Sequence, residues 1–297
     1  MKNATETREL IELGGTGGAV CGTYHKTCTH GLDAQPSLIE RNRVGMLFLN
    51  SLSPTRAANG DLAVYLADSF AGLGYPSFRI DLPGFGDSEQ DPPPELHRFI
   101  NLGGYAAIAS AKVQELVARF SLPGVVIVGH CAGTVSAIYT AASAKECKGL
   151  VLMDPYFDLP VKEIPTAPGV NELPENANTA LLHCWEKVAS AGLPILIVKK
   201  PERITPGMNA RAGQFDYFDY VLGLAGRKSR VVVETADGSN QNFGNFVGRE
   251  AVRRHAQGWL SAHFPLTRSK VSNTNHLISG LGDGQGSDKN YEPCLKQ

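Results

Sequence analysis

Five apolar runs constrain this chain more than any other feature. They are "VGMLFLN" (44–50), "GVVIVG" (124–129), "GLVLMD" (149–154), "PILIVKK" (194–200) and "SRVVVET" (229–235). Each is strand-length and rich in β-branched residues. None alternates apolar with polar positions, which is the pattern of parallel strands buried on both faces. Between them the spacing turns helical: "DLAVYLADSFAGLGY" carries apolar residues at 62, 65, 66, 70 and 73 and stops at Gly74. The segment 105–120 and the segment 247–263 show the same one-sided pattern. Two early strands, "RELIELGG" and "GAVCGTYHK", and a further strand in "PSFRIDLPG" (76–84) fill out the order. Strand–helix alternation on this scale predicts an open α/β sheet.

The 297 residues, 42% hydrophobic and 19% charged, suffice for a sizeable core. A net charge of -1 gives no bulk attraction for nucleic acid or an anionic membrane, and neither partner is expected. No apolar run is long enough to span a bilayer, and "MKNATETRELIELGG" lacks the apolar region of a signal peptide. The six cysteines, at 21, 28, 131, 147, 184 and 294, are dispersed and form no Cys-x-x-Cys pair. That distribution suits a reducing, cytoplasmic compartment. Cys21, His25, Cys28 and His30 come nearest to a metal cluster but lack zinc-ligand spacing, so no metal is expected.

Chemistry concentrates in "VVIVGHCAGTVSAIYTAA" (125–142), where an apolar strand runs through Gly129-His130-Cys131-Ala132-Gly133 into a helical pattern. The strand–turn–helix context matches a nucleophile elbow. Glycines two residues either side let a strained backbone position pack between strand and helix. The side chain at 131 then stands at a helix N-terminus, whose dipole favours a thiolate or an oxyanion. The other reading of Cys131 is a small inert filler.

On these residues the chain resembles the α/β-hydrolase family over roughly residues 9–264. The resemblance rests on "LFLNSLSP", "RIDLPGFGDSE", "GHCAG" and the final "WLSAHF". It implies an eight-stranded, mostly parallel sheet flanked by helices. It also implies a nucleophile–acid–histidine triad in that chain order, and an oxyanion hole. The hole's donors would be the Ala132 N–H and a backbone N–H at Ser51 or Leu52. Cysteine replaces the usual serine in some members, notably dienelactone hydrolases and certain thioesterases and acyltransferases. A thiolate suits acyl transfer between thioesters.

Completing the triad is where the chain departs from the family. "VKKPERITPG" resembles the family's acid-bearing run and offers Glu202; Asp154 and Asp158 are alternative acids. The histidine position falls in "DGSNQNFG" (237–244), where Gln241 stands instead. Glutamine can hold a substrate or a water by hydrogen bonds but cannot act as general base at neutral pH. His183 could reach the site from a lid; His130, His97, His255 and His263 read more readily as packing or surface residues. A missing base disfavours hydrolysis specifically, because water attack on an acyl-enzyme needs proton removal.

The expected organisation is an α/β-hydrolase domain over 1–265, with a small proline-rich lid inserted at about 155–190. A Gly/Ser/Asn-rich flexible tail spans 266–297. The expected activity is acyl transfer or hydrolysis on an ester or thioester, with no cofactor. The substrate would be a small-molecule or carrier-bound acyl group. A lyase or cyclase, or a silent binding protein, remains the alternative on the same fold, and homodimerisation stays open.

Overall fold

In a computed structural model, residues 7–15, 18–27, 43–52, 55–155, 178–200, 222–225, 229–239 and 243–266 are described. The apolar runs form a single eight-stranded sheet in the order β1-β2-β4-β3-β5-β6-β7-β8. Its members are β1 (Arg8–Leu13), β2 (Val20–His25), β3 (Gly45–Phe48), β4 (Ser77–Ile80), β5 (Val125–His130), β6 (Cys147–Met153), β7 (Pro194–Lys199) and β8 (Arg230–Thr235). β1 and β2 pair antiparallel, as do β2 and β4, and every later pairing is parallel.

The helices are α1 (Leu62–Leu73), α2 (Leu96–Asn101), α3 (Ala106–Arg119), α4 (Ala132–Ser143), α5 (Thr179–Ser190) and α6 (Phe246–His263). The strand period of two divides the sheet's side chains between two cores. Leu47, Ile127, Leu150, Leu152, Ile195 and Ile197 meet α3, α4 and α5 on one face. Met46, Phe48, Val126, Val128, Val151 and Val198 meet α1 and α6 on the other. Both faces being covered explains why β5 and β6 read as unbroken apolar runs. β8 departs from that reading: among the described residues it is the edge strand, and Val232 and Val233 are partly exposed.

The span expected as a lid divides. Residues 156–177 lie outside the described residues, and α5 packs as a crossover helix between β6 and β7. Asn178 caps it, its side chain accepting from the Leu181 N–H (3.1 Å). Leu181, Leu182, Trp185, Val188 and Ala189 are buried, with Trp185 in the core cluster that includes α4. The tail expected at 266–297 lies outside the described residues except for Leu266.

Candidate active site

The strand–helix junction at β5–α4 has the shape its sequence implied. Cys131 sits at φ 51°, ψ −122°, a region L-residues rarely adopt, and its N–H donates to the Met153 carbonyl (2.9 Å). Its carbonyl accepts from the Thr134 N–H (3.0 Å) and the Thr134 hydroxyl (2.6 Å), which tie the turn to α4. Two glycines make the turn possible. A Cβ on Gly129 would stand 2.5 Å from the Gly133 carbonyl oxygen, and one on Gly133 would stand 2.7 Å from the Asn50 carbonyl oxygen.

The second contact brings the loop after β3 against the elbow. β3 and β5 run parallel with Phe48 opposite Val128, and the Leu49 N–H donates to the Val128 carbonyl (3.0 Å). The same offset sets Ser51 beside Cys131. Ser51 is buried, and Leu52 packs partly buried against the core.

That loop is held by a buried polar lattice from "RIDLPGFGDSE". The Asn50 side chain donates to Asp81 Oδ1 (3.2 Å) and accepts from the Leu82 N–H (2.7 Å). Arg56 pairs with fully buried Asp81 and with Asp87 (2.7 Å), and its Nε donates to the Thr23 hydroxyl (3.0 Å). The Asp87 N–H donates to Asp81 Oδ2 (3.2 Å). A Cβ on Gly86, at φ 50°, would lie 2.1 Å from that same oxygen. The D-x-x-G-x-G-x-S run is thus a clamp on the loop carrying Ser51 and Leu52.

Two further groups close on Cys131 from the carboxyl ends of β6 and β7. The β5–β6 register pairs His130 with Met153, which sets Asp154 beside Cys131. Asp154, at φ 46°, donates its N–H to the Val198 carbonyl (2.7 Å), and its carboxylate meets Lys200 Nζ at 2.6 Å. Burial pushes the Cys131 thiol above its ordinary pKa, and the Asp154 charge adds to that. The Ala132 N–H, Lys200 and Ser51 pull the other way without reversing it.

Among the described residues, five of the six histidines have contacts of their own. His130 is buried, packs edge-on to Phe243 (5.8 Å between centroids), and is pushed down to about pKa 4 by burial. His183 is exposed on α5. His97 lies near Asn101, His255 pairs with Glu234 (3.4 Å), and His263 lies against Arg230 (2.7 Å). His25 uses both ring nitrogens, Nδ1 on Asp68 (2.7 Å) and Nε2 accepting from Arg79 Nε (2.8 Å), which occupies a residue of the weak metal cluster considered above. Among the described residues no His/Cys/Asp/Glu group has the arrangement of a metal site, and no helix is long and apolar enough to cross a membrane.

The structure thus brings Cys131, Ala132, Ser51 and Asp154 together. Glu202, Asp158 and Gln241, with Cys28 and His30, lie outside the described residues. Sequence reasoning missed Lys200 and Asn50. A signal existed for Lys200, a basic residue directly at the carboxyl end of a buried parallel strand, where open α/β sheets gather their ligands.

Topology and elbow together define the α/β-hydrolase fold. The sequence profile of the alpha/beta hydrolase fold matches residues 52–197, just under half of the chain. No curated protein sequence matches significantly. Similar solved structures include a Pyrococcus furiosus esterase (12% identity, 86% of this chain and 91% of that one, TM-score 0.59). A cold-adapted esterase from an Arctic intertidal metagenomic library is also similar (16%, 86% and 94%, TM-score 0.54). So is the N-acyl homoserine lactonase AidH, solved with N-hexanoyl homoserine (13%, 88% and 99%, TM-score 0.54).

Proposed function

We propose that the chain is a hydrolase or acyltransferase acting on an ester or thioester of a small-molecule or carrier-bound acyl group, with Cys131 as nucleophile. The observation that supports this most is the backbone of Cys131. A non-glycine residue at φ 51° between two sterically required glycines carries strain that an inert filler does not need. In the proposed step Cys131 Sγ bonds to the acyl carbonyl carbon as the thiol's proton passes to the leaving oxygen or sulfur. The carbonyl oxygen takes the negative charge beside the Ala132 N–H and a backbone N–H at Ser51 or Leu52. Collapse expels the alcohol or thiol, which carries off a proton, and leaves acyl-Cys131. Glu202 or Asp154 serves as the acid, and Gln241 holds the acceptor. With glutamine in the general-base position, transfer to a second acceptor is favoured over hydrolysis.

The test is intact-mass spectrometry of the wild-type chain with a short acyl thioester. An adduct of acyl mass is expected and should be absent in Cys131→Ala; an equal adduct in that variant refutes covalent catalysis at this residue. One observation favours a second reading, a silent ligand-binding protein: burial keeps the resting thiol protonated at neutral pH. Binding of acyl compounds without any adduct or turnover would favour it.

A further inference from the structure

Away from Cys131, β2, β4 and α1 enclose a histidine whose two ring nitrogens have partners of opposite kind. Thr23 and His25 share one face of β2, and the antiparallel register sets Arg8 opposite His25 and Arg79 opposite Thr23. His25 Nδ1 meets Asp68 Oδ1 on α1 at 2.7 Å, and Nε2 meets Arg79 Nε at 2.8 Å. A carboxylate accepts and a guanidinium only donates, so His25 is neutral with its proton on Nδ1. The ring is buried and both nitrogens are taken. Arg8 Nε holds Asp68 from its other side (3.0 Å). Arg79, itself buried, continues the line: its Nη1 donates to the Arg56 carbonyl (3.1 Å), and Arg56 clamps Asp81 and Asp87.

We infer that His25 and Arg79 form an acid-sensitive latch on the loop after β3: protonation of His25 expels the Arg79 guanidinium and frees the backbone of that loop at Arg56. The latch itself does not depend on Cys131, but its bearing on catalysis rests on the reading of Ser51 or Leu52 as an oxyanion donor.

The trigger is a clash of donors. A proton added at Nε2 points at the Arg79 Nε–H across 2.8 Å, so two like charges face each other where a lone pair met a donor. Nδ1 keeps Asp68, so the ring stays, the guanidinium moves, and its bond to the Arg56 carbonyl goes with it. The surrounding charges sharpen this. Arg8 from β1, Arg79 from β4 and Arg56 from the loop are all cations, and among the described residues Asp68 is the carboxylate in contact with the ring. Asp81 and Asp87 are engaged by Arg56, and Lys26 and Glu9 pair with each other (3.1 Å). Burial pushes His25 down to about 4; Asp68 partly offsets this and Arg79 adds to it. Freed from Arg79, the ring returns toward its ordinary value of 6.5. Release therefore takes up a proton and is favoured as pH falls from 6.5 to 4.

The decisive experiment is hydrogen exchange of the full-length chain between pH 6.5 and 4, resolved to single amides by mass spectrometry and corrected for the intrinsic rate. The reporters are the Ala58 N–H, bonded to the Thr55 carbonyl (3.2 Å), and the Leu82 N–H, bonded to Asn50 Oδ1 (2.7 Å). The Val126, Ile127 and Val128 amides of central β5 report global unfolding. Reporter protection should fall by up to about tenfold per pH unit across this range while the β5 amides stay more protected. His25→Gln can donate to Asp68 and accept from Arg79 without titrating, so it should hold reporter protection within about twofold over the same range. Arg79→Met should lower reporter protection at least about tenfold already at pH 6.5, with little further fall in acid. If Arg79→Met does not fold, wild type and His25→Gln still decide the matter. A flat wild-type profile, an acid slope that survives in His25→Gln, or reporters that exchange in step with β5 overturn the inference. Exchange needs no acyl substrate, so a latch without an acyl-Cys131 adduct would sink the acyl-transfer reading alone. An adduct without a latch would sink this one alone.

Discussion

Replacing Gly133 by alanine tests the steric logic of the elbow. The added Cβ would stand 2.7 Å from the Asn50 carbonyl oxygen, 3.2 Å from its carbon and 3.3 Å from the Leu49 oxygen. All three are backbone atoms, so no side-chain rotation relieves the overlap; α4 and the loop after β3 must part by about 0.5 Å. Overpacking of this kind costs about 1–3 kcal/mol, against which alanine's better helix propensity returns up to about 1 kcal/mol. The net loss should lower the melting temperature by roughly 2–8 °C. The larger effect should be on chemistry, because the displaced loop carries Ser51 and Leu52. Since misplacement by about 1 Å can cost roughly a hundredfold, the acylation proposed for Cys131 should slow about tenfold. Gly258→Ala is the control: it lies exposed within α6, its Cβ would meet nothing within 4 Å, and it should gain about 0.5–1 kcal/mol. Scanning calorimetry and stopped-flow acylation measure the two effects. A Gly133→Ala variant that melts and acylates like wild type would refute the close approach of these two segments.

Two other perturbations follow from buried charge. Arg56→Ala leaves Asp81, whose side chain is fully buried, with only Asn50 and the Asp87 N–H as partners. A loss of about 3–5 kcal/mol in chemical denaturation is expected; a change within about 0.5 kcal/mol would mean that Arg56 does not neutralise that carboxylate. Stability should also depend on acid. His25 and His130 are both pushed down to about 4, in each case mainly by burial, below the ordinary value of 6.5 that applies when unfolded. Between those pH values the unfolded chain binds protons that the folded chain refuses. The stabilisation is thus complete above about pH 6.5 and is lost as pH falls toward 4. With two such groups the unfolding free energy should fall by up to about 2.7 kcal/mol per pH unit, and His130→Gln should roughly halve that slope. A flat profile between pH 6.5 and 4 would contradict the burial of both rings.

What the sequence made legible and what it hid divide along a physical line. The sheet, its parallel middle and the elbow depend on local regularities: runs of β-branched residues, helical spacing, and glycines two residues either side of Cys131. The edge character of β8 was hidden because "VVVET" reads like a buried strand, and only the strand order leaves it with one neighbour among the described residues. The crossover role of α5 was hidden for a related reason. A proline-rich stretch precedes it, and its burial against the core that includes α4 is tertiary. The partners of Cys131 are more instructive, because parallel register collects one residue from each of several distant segments. Ser51, Cys131, Asp154 and Lys200 lie far apart in sequence and meet because β3, β5, β6 and β7 run parallel and end at the same edge. No spacing rule links them, so a search for a histidine in the family's usual place finds Gln241 and stops. The strands predict the meeting place, however: in a parallel sheet the first residues beyond each carboxyl end are neighbours, whatever their separation in the chain. Applied to "LNS", "GHC", "LMD" and "VKK", that rule selects a thiol, a hydroxyl, a carboxylate and an ammonium. Among the described residues, those four groups are the ones that the parallel register gathers at this edge.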